Sequence, residues 1–438
     1  MSLYRSLFFG HSESLLSDEP EGPAEPAQSG GTFVIGQEHG GPSGRFARDV
    51  VIVGGCGHVG LPLAVAFADR GASVTIYDIS SEAIEAVNSG RPPFRDLAAE
   101  LPLSRVVTAG RLAASADPAV VGAAEHVVIV LSGLDEHAGG RPSPIRAALS
   151  GSVDMFRDGQ ILILRSTATP GTTAIAEKVV ASRGIDMDVA FCPERIAHGH
   201  AMTELCELPQ IVSSRTARGL QRASRLFSLL TPELIPMSVE EAELAKLFAN
   251  AWRYIRFAAA NQFYMIATDL GLDYQRIRQG VVRGYPRASD LALAGFAPVP
   301  GLLKDTAGLA RSSVGFTLGR SAIAVNQGLP GYLVSRLELR FDLAAMTVGV
   351  LGIACKAGSD DARDSLAYLL ADLLAAKARE VLCTDPLVSG DPDLLPLDEV
   401  LDRSDLLVIG TPHQQYRDLR TDKPVVDIWN LRRQGVRA

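Results

Sequence analysis

The chain has 438 residues, room for two or three domains that each bury a core of their own. Its composition, 47% hydrophobic and 21% charged with 41 glycines, suits an α/β protein. A net charge of −8 with no basic stripe gives nucleic acid no footing, and five scattered cysteines without a CxxC pair or Cys/His ligand spacing indicate neither a disulfide frame nor a metal site.

Residues 1–48 are rich in Gly, Pro, Ser and Glu and are expected to form a disordered leader. The apolar core of MSLYRSLFFG is too short for a signal peptide, and no uncharged run reaches the roughly 18 residues that cross a bilayer. With the unpaired cysteines, this leads to the expectation of a cytoplasmic protein with no membrane partner. From 49 to 235 strands and helices alternate. DVVIVGG, SVTIYD, HVVIVLS, QILILRS and DVAFCP are continuous apolar runs, which predicts a parallel sheet covered on both faces.

The first of these runs opens into Gly55-x-Gly57-x-x-Gly60 and a helix, LPLAVAFADRG. In such a turn the first glycine bends the chain, the second lets backbone approach a pyrophosphate, and the third lets helix and strand pack closely. The anion rests on free N–H groups at the positive end of the helix dipole. Asp78 ends the next strand, 23 residues after Gly55. Its carboxylate suits two ribose hydroxyls and repels a 2′-phosphate, so the predicted cofactor is NAD. The expected coenzyme residues are Gly55, Gly57, His58, Val59, Gly60 and Asp78, with Ser132 and Thr167 after later strands.

From Val239 to Leu272 the sequence reads as one long helix, with Glu240, Glu241 and Glu243 near its start and Gly271 at its end. Apolar residues on most of its sides require cover by other helices or a second copy, so a homodimer is expected. This central helical region is placed at 236–330. After Pro330 the alternation returns (TVGVLGIACK, EVLCTDP, DLLVIGTP, PVVDIW) as a second Rossmann-like unit, 331–438, without a three-glycine turn. The predicted fold is thus α/β: two Rossmann-like, doubly wound parallel-sheet domains joined by a long central helix and a small helical domain.

Five further motifs follow in order: STATPGTT (166–173), PERIAHG (193–199), ELAKLFAN (243–250), LLKDT (302–306) and GIACKAGSDDARDS (352–365). With the dinucleotide turn they resemble the UDP-glucose/GDP-mannose dehydrogenase family over nearly all of 49–438. The PER form and the GYPR tract (284–287) look closer to its N-acetylmannosamine branch. Lys246 and Asn250, four apart, share one helix face, and an ammonium and an amide converging there can stabilise an oxyanion. The resemblance implies that they do so at the sugar's reacting carbon. It also implies that Thr167 and Glu194 handle water and protons there, and that Asp305, beside Lys304, assists a lysine-bound water. Taken by themselves, Lys304 and Asp305 read as a loop pair and Glu194 as a turn residue. The resemblance further assigns Lys356, Arg363 and Arg287 to the nucleotide-sugar side, with Asp361 and Ser365 completing an acidic-x-Arg-x-Ser run.

The sequence departs from the family in three places. Gly301 stands where the resemblance implies a nucleophilic cysteine, four residues before Asp305, among the substrate-binding positions. Such a thiol attacks the aldehyde of a first oxidation and carries it through a thioester to an acid; glycine cannot. His198 replaces a second acid, and Trp429 stands where many relatives carry arginine. The leading expectation is an NAD-dependent oxidoreductase on a nucleotide sugar, a UDP-sugar first, that either stops after one two-electron step or oxidises an aldehyde hydrate with water in place of the thiol. The alternatives are a redox-neutral, epimerase-like enzyme and a non-catalytic binding protein.

Overall fold

The structure is a computed structural model that describes residues 45–94, 97–130, 149, 153–196, 201–298 and 300–432. Residues 1–44 of the predicted leader, Ser132 and His198 lie outside these residues, and the leader's expected end is corrected at Arg48, which already belongs to the first strand.

The first sheet has eight strands: β1 (Arg48–Val53), β2 (Val74–Tyr77), β3 (Leu112–Ser115), β4 (Ala124–Ile129), β5 (Ile161–Leu164), β6 (Asp188–Phe191), β7 (Gln210–Ser214) and β8 (Leu234–Pro236). They run in the order β3-β2-β1-β4-β5-β6-β7-β8, parallel except between β6 and β7. The unbroken apolar character of β1 has a simple cause. Val50 and Ile52 enter one core with the helix Gly60–Asp69, while Val51 and Val53 enter a second core on the opposite face. Each such side chain contributes roughly 1.5–3 kcal/mol on burial. The runs expected as strands correspond to β1, β2, β4, β5 and β6. Strands β3, β7 and β8 (LAAS, QIVSS, LIP) are short and weakly apolar, and the sequence patterns do not mark them.

The central helix spans Val239–Asp269, 31 residues and roughly 46 Å. Ser238 and Glu241 form a capping box at its start, and Gly271, at φ 69°, follows its end. One turn in, the buried carboxylate of Glu243 leaves this spine for the first lobe. It accepts hydrogen bonds from Gly171 N (2.7 Å), Thr173 N (2.8 Å) and Thr173 Oγ1 (2.7 Å) at the start of the helix Thr172–Ser182. The helices Gly301–Ser312 and Thr317–Glu338 pack along the spine. The second of these runs straight through Pro330, so the return to strands comes after Glu338.

The second sheet contains β9 (Thr347–Leu351), β10 (Glu380–Thr384), β11 (Leu406–Ile409) and β12 (Val425–Val426), all parallel, in the order β10-β9-β11-β12. Here too alternate residues of β11 enter opposite cores: Leu406 and Val408 on one face, Leu407 and Ile409 on the other. Among the described residues, no helix is long and apolar enough to cross a membrane.

Candidate active site

The three glycines after β1 meet three different surroundings. A Cβ on Gly60 would lie 2.5 Å from Gly55 Cα, a backbone contact that cannot yield; on Gly55 it would press on Ile52 and Ile76 at 3.0 Å. On Gly57 it would meet nothing within 4 Å, which leaves open backbone for a ligand. Val59, the residue before the helix Gly60–Asp69, provides no side-chain cap, so the helix start is free to receive an anion. Asp78 takes the Cys56 N–H at 3.0 Å and the N–H groups of Ile79 and Ser80, which fixes its carboxylate beside the turn. His58 stacks on Phe94 with centroids 4.0 Å apart and reaches Asp360 of the second lobe at 3.6 Å. These residues fit a dinucleotide, and the acid at 78 fits the ribose of NAD.

The spine presents Lys246 and Asn250 one turn apart. Asn250 Nδ2 donates to Asp305 Oδ2 at 2.5 Å. Asp305 is buried in the helix Gly301–Ser312, which corrects the expectation of a loop pair at 304–305. Pro298 and Pro300 hide this helix start in the sequence, but Leu302, Leu309 and Ala310 recur at helical spacing and are buried. Burial raises the Asp305 carboxyl above its ordinary range, opposed by the Asn250 bond and by Lys246 and Lys304. Burial lowers the Lys246 ammonium, opposed first by Asp305 and then by Glu194. The two groups therefore hold a proton on closer terms than they do in water.

Glu194 is not the surface turn residue that its local sequence suggests. It is buried, ion-paired to the fully buried Arg165, and its Oε1 accepts from Arg195 N (2.6 Å) and Ile196 N (2.8 Å). Thr167, half-buried, follows β5 at the same edge of the sheet. Lys304 is half-buried beside Asp305. Gly301 is the exposed first residue of its helix, one turn before Asp305, and a Cβ there would meet nothing within 4 Å.

In the second lobe Lys356 follows β9, with its ammonium lowered by burial and further by Arg253 of the spine. Arg253 also lowers Lys246, so its charge acts on both lysines. It sits seven residues after Lys246, a spacing that could have revealed it in the sequence. Arg363 is engaged by its neighbour Asp361 at 2.8 and 2.7 Å, and Ser365 caps the helix Leu366–Ala375. This run is self-contained. Trp429 lies edge-on to Phe296, donates its indole N–H to Ile409 O at 3.2 Å, and occupies the space a Cβ on Gly295 would need. Arg287, exposed against the Tyr285 ring, is not brought to the Lys246 cluster by any contact among the described residues.

A glycine cradle on the first sheet, together with a lysine–amide–carboxylate cluster on the spine and the helix packed along it, defines a dinucleotide-dependent oxidoreductase. The family models agree. The chain belongs to the UDP-glucose/GDP-mannose dehydrogenase family: that family's NAD binding domain matches residues 49–231, its central domain 240–309 and its UDP binding domain 349–434. It is an NAD-dependent dehydrogenase acting on a nucleotide sugar. Over 392 residues it is 28% identical to a UDP-N-acetyl-D-mannosamine dehydrogenase of Pyrococcus horikoshii, covering 84% of this chain and 90% of that protein. It is 27% identical over 405 residues to an NDP-N-acetyl-D-galactosaminuronic acid dehydrogenase of Ralstonia nicotianae, covering 86% and 93%. The solved UDP-glucose dehydrogenase of Pyrobaculum islandicum superposes with a TM-score of 0.78 at 27% identity, covering 88% of this chain and 95% of that one.

Proposed function

We propose that the enzyme oxidises one hydroxyl-bearing carbon of a UDP-linked 2-acetamido sugar to a carbonyl and stops there, in the cytoplasm, as a homodimer. The names of the relatives support the sugar class. The observation that carries the single oxidation is Gly301: Asp305 is presented to Asn250 and Lys246, yet the helix start one turn away offers no nucleophile. Burial pushes the Cys56 and Cys192 thiols up to about 12 and those of Cys355 and Cys383 up to about 11, so these four are not poised as thiolates.

Bound NAD supplies the hydride acceptor. The hydroxyl proton passes to Asp305, whose burial favours its uptake, and from there to solvent. Lys246 and the second N–H of the Asn250 amide donate to the oxygen as charge develops. Lys246, Arg253 and Lys356 together give the diphosphate a cationic wall.

The test is NADH yield with a panel of UDP-, GDP- and dTDP-sugars, with products identified by mass. One NADH per sugar and a carbonyl product are expected. Gly301→Cys has open space and a helix N-terminus to favour the thiolate, and should raise the yield to two with an acid product. Two NADH from the unaltered enzyme would overturn the single oxidation. NAD binding without turnover of any sugar would favour the redox-neutral or binding reading.

For the dimer, Phe248, Trp252, Ile255, Ala259, Phe263, Ile266 and Leu270 form a stripe at three- and four-residue spacing along the spine, and all but Ile255 are exposed. A second copy of the chain covers such a face with its own. Trp252→Glu should halve the mass seen by sedimentation; an unaltered chain that is already monomeric would refute this.

A further inference from the structure

We infer that Arg165 is a positioning residue that locks the Glu194 carboxylate in place beside Lys246. The inference rests on the reading of Lys246 as the reaction centre. Arg165 follows β5 and is 1% exposed. Its Nη2 pairs with Glu194 Oε2, and its Nη1 donates to Gln210 Oε1 at 3.0 Å and Cys192 O at 3.3 Å. The guanidinium lies 5.0 Å over the Phe227 ring. The backbone takes part as well, with Glu194 N donating to Arg165 O at 3.3 Å. One carboxylate oxygen is thus held by the arginine and the other by the N–H groups of Arg195 and Ile196.

Stability does not account for this arrangement. A buried ion pair contributes little over a well-packed apolar pair of the same size. What an apolar pair cannot supply is a carboxylate charge that acts on Lys246: Glu194, after Asp305, supports that ammonium's proton affinity, while Arg253 and, least, Arg165 itself oppose it. Only a planar fork reaches Glu194, Gln210 and Cys192 together. A lysine keeps the charge but loses the geometry.

Arg165→Lys is therefore the informative variant. Its kcat is expected to fall on the order of 10- to 100-fold while KM for the nucleotide sugar and affinity for NAD stay within about twofold. A second readout does not need turnover: the pH at which Lys246 becomes half-reactive toward an amine-acylating reagent, followed by peptide mass. With Glu194 released, that midpoint should drop by roughly one pH unit. Arg165→Met/Glu194→Met provides a folded control, with its melting temperature restored and kcat no better than in Arg165→Lys. An unshifted midpoint, or a loss confined to KM, overturns the inference. A shifted midpoint in an enzyme that turns over no nucleotide sugar upholds the positioning and sinks the catalytic reading of Lys246 instead.

Discussion

The two parallel-sheet lobes start alike and end differently. In each, the first strand runs into a glycine with positive φ, Gly54 at 73° and Gly352 at 89°. In each, an aspartate after the next strand takes N–H groups of that turn. Asp78 accepts from Cys56, and Asp385 accepts from Ile353 (2.7 Å) and Ala354 (2.9 Å). In the first lobe the turn then stays bare at Gly57. In the second it is filled: His413 Nε2 lies 3.1 Å from the Asp385 carboxylate, and His413 Nδ1 receives Gly358 N–H at 3.3 Å. That network places the imidazole proton on Nε2. One half-fold becomes a cradle through the side chains it omits. The other becomes a ledge through the one it adds, and Lys356 is carried on that ledge.

Gly60→Ala should break this contrast most severely. Its Cβ would sit 2.5 Å from Gly55 Cα, so the turn must open; NAD affinity by calorimetric titration should fall more than about 100-fold, with a lower melting temperature. An unchanged affinity would show that the third glycine does not shape the cradle. Asp385→Asn tests the ledge. Burial alone would raise the Asp385 pKa, but the His413 bond and the N–H groups of Ala354 and Leu387 outweigh it and hold the carboxyl well below the usual range. Its stabilisation is therefore complete above about pH 4, the unfolded value, and is lost as pH falls through the lower folded value. The variant should be about 1–3 kcal/mol less stable at pH 7 by urea unfolding, with the gap closing toward acid. A gap that is constant with pH would dismiss the charge as its cause. Gly57→Ala is the mildest: the fold is kept and NAD binds about tenfold more weakly, because only the approach of the pyrophosphate is obstructed.

The sequence carried the coenzyme cradle well because each of its requirements is local. Three glycines, a buried strand and an acid at the next strand's end are all set by nearest neighbours in the chain. The Lys246–Asn250 pair was legible for the same reason, being one helical turn apart. Legibility failed where partners meet across the fold. Arg165 and Glu194 are brought together by adjacent strands 29 positions apart, and nothing around either marks the other. Around Asp305 two prolines mask the helix start, and the helical spacing of Leu302, Leu309 and Ala310 gains its meaning from their burial. Strand β3 is held by its pairing to β2, from Val74 opposite Leu112 to Tyr77 opposite Ser115, and not by its own apolar content.

The spine's Glu243 shows how the chain distributes its charges. A helix start is a socket for negative charge, and two such sockets in the first lobe are used in opposite ways. At Thr172–Ser182 the socket is plugged by a carboxylate from the spine, a joint that cannot part without stranding a buried anion. At Gly60–Asp69 it is left for a guest. The protein thus uses one electrostatic device twice, as a rivet where the architecture must not move and as a berth where a molecule must come and go.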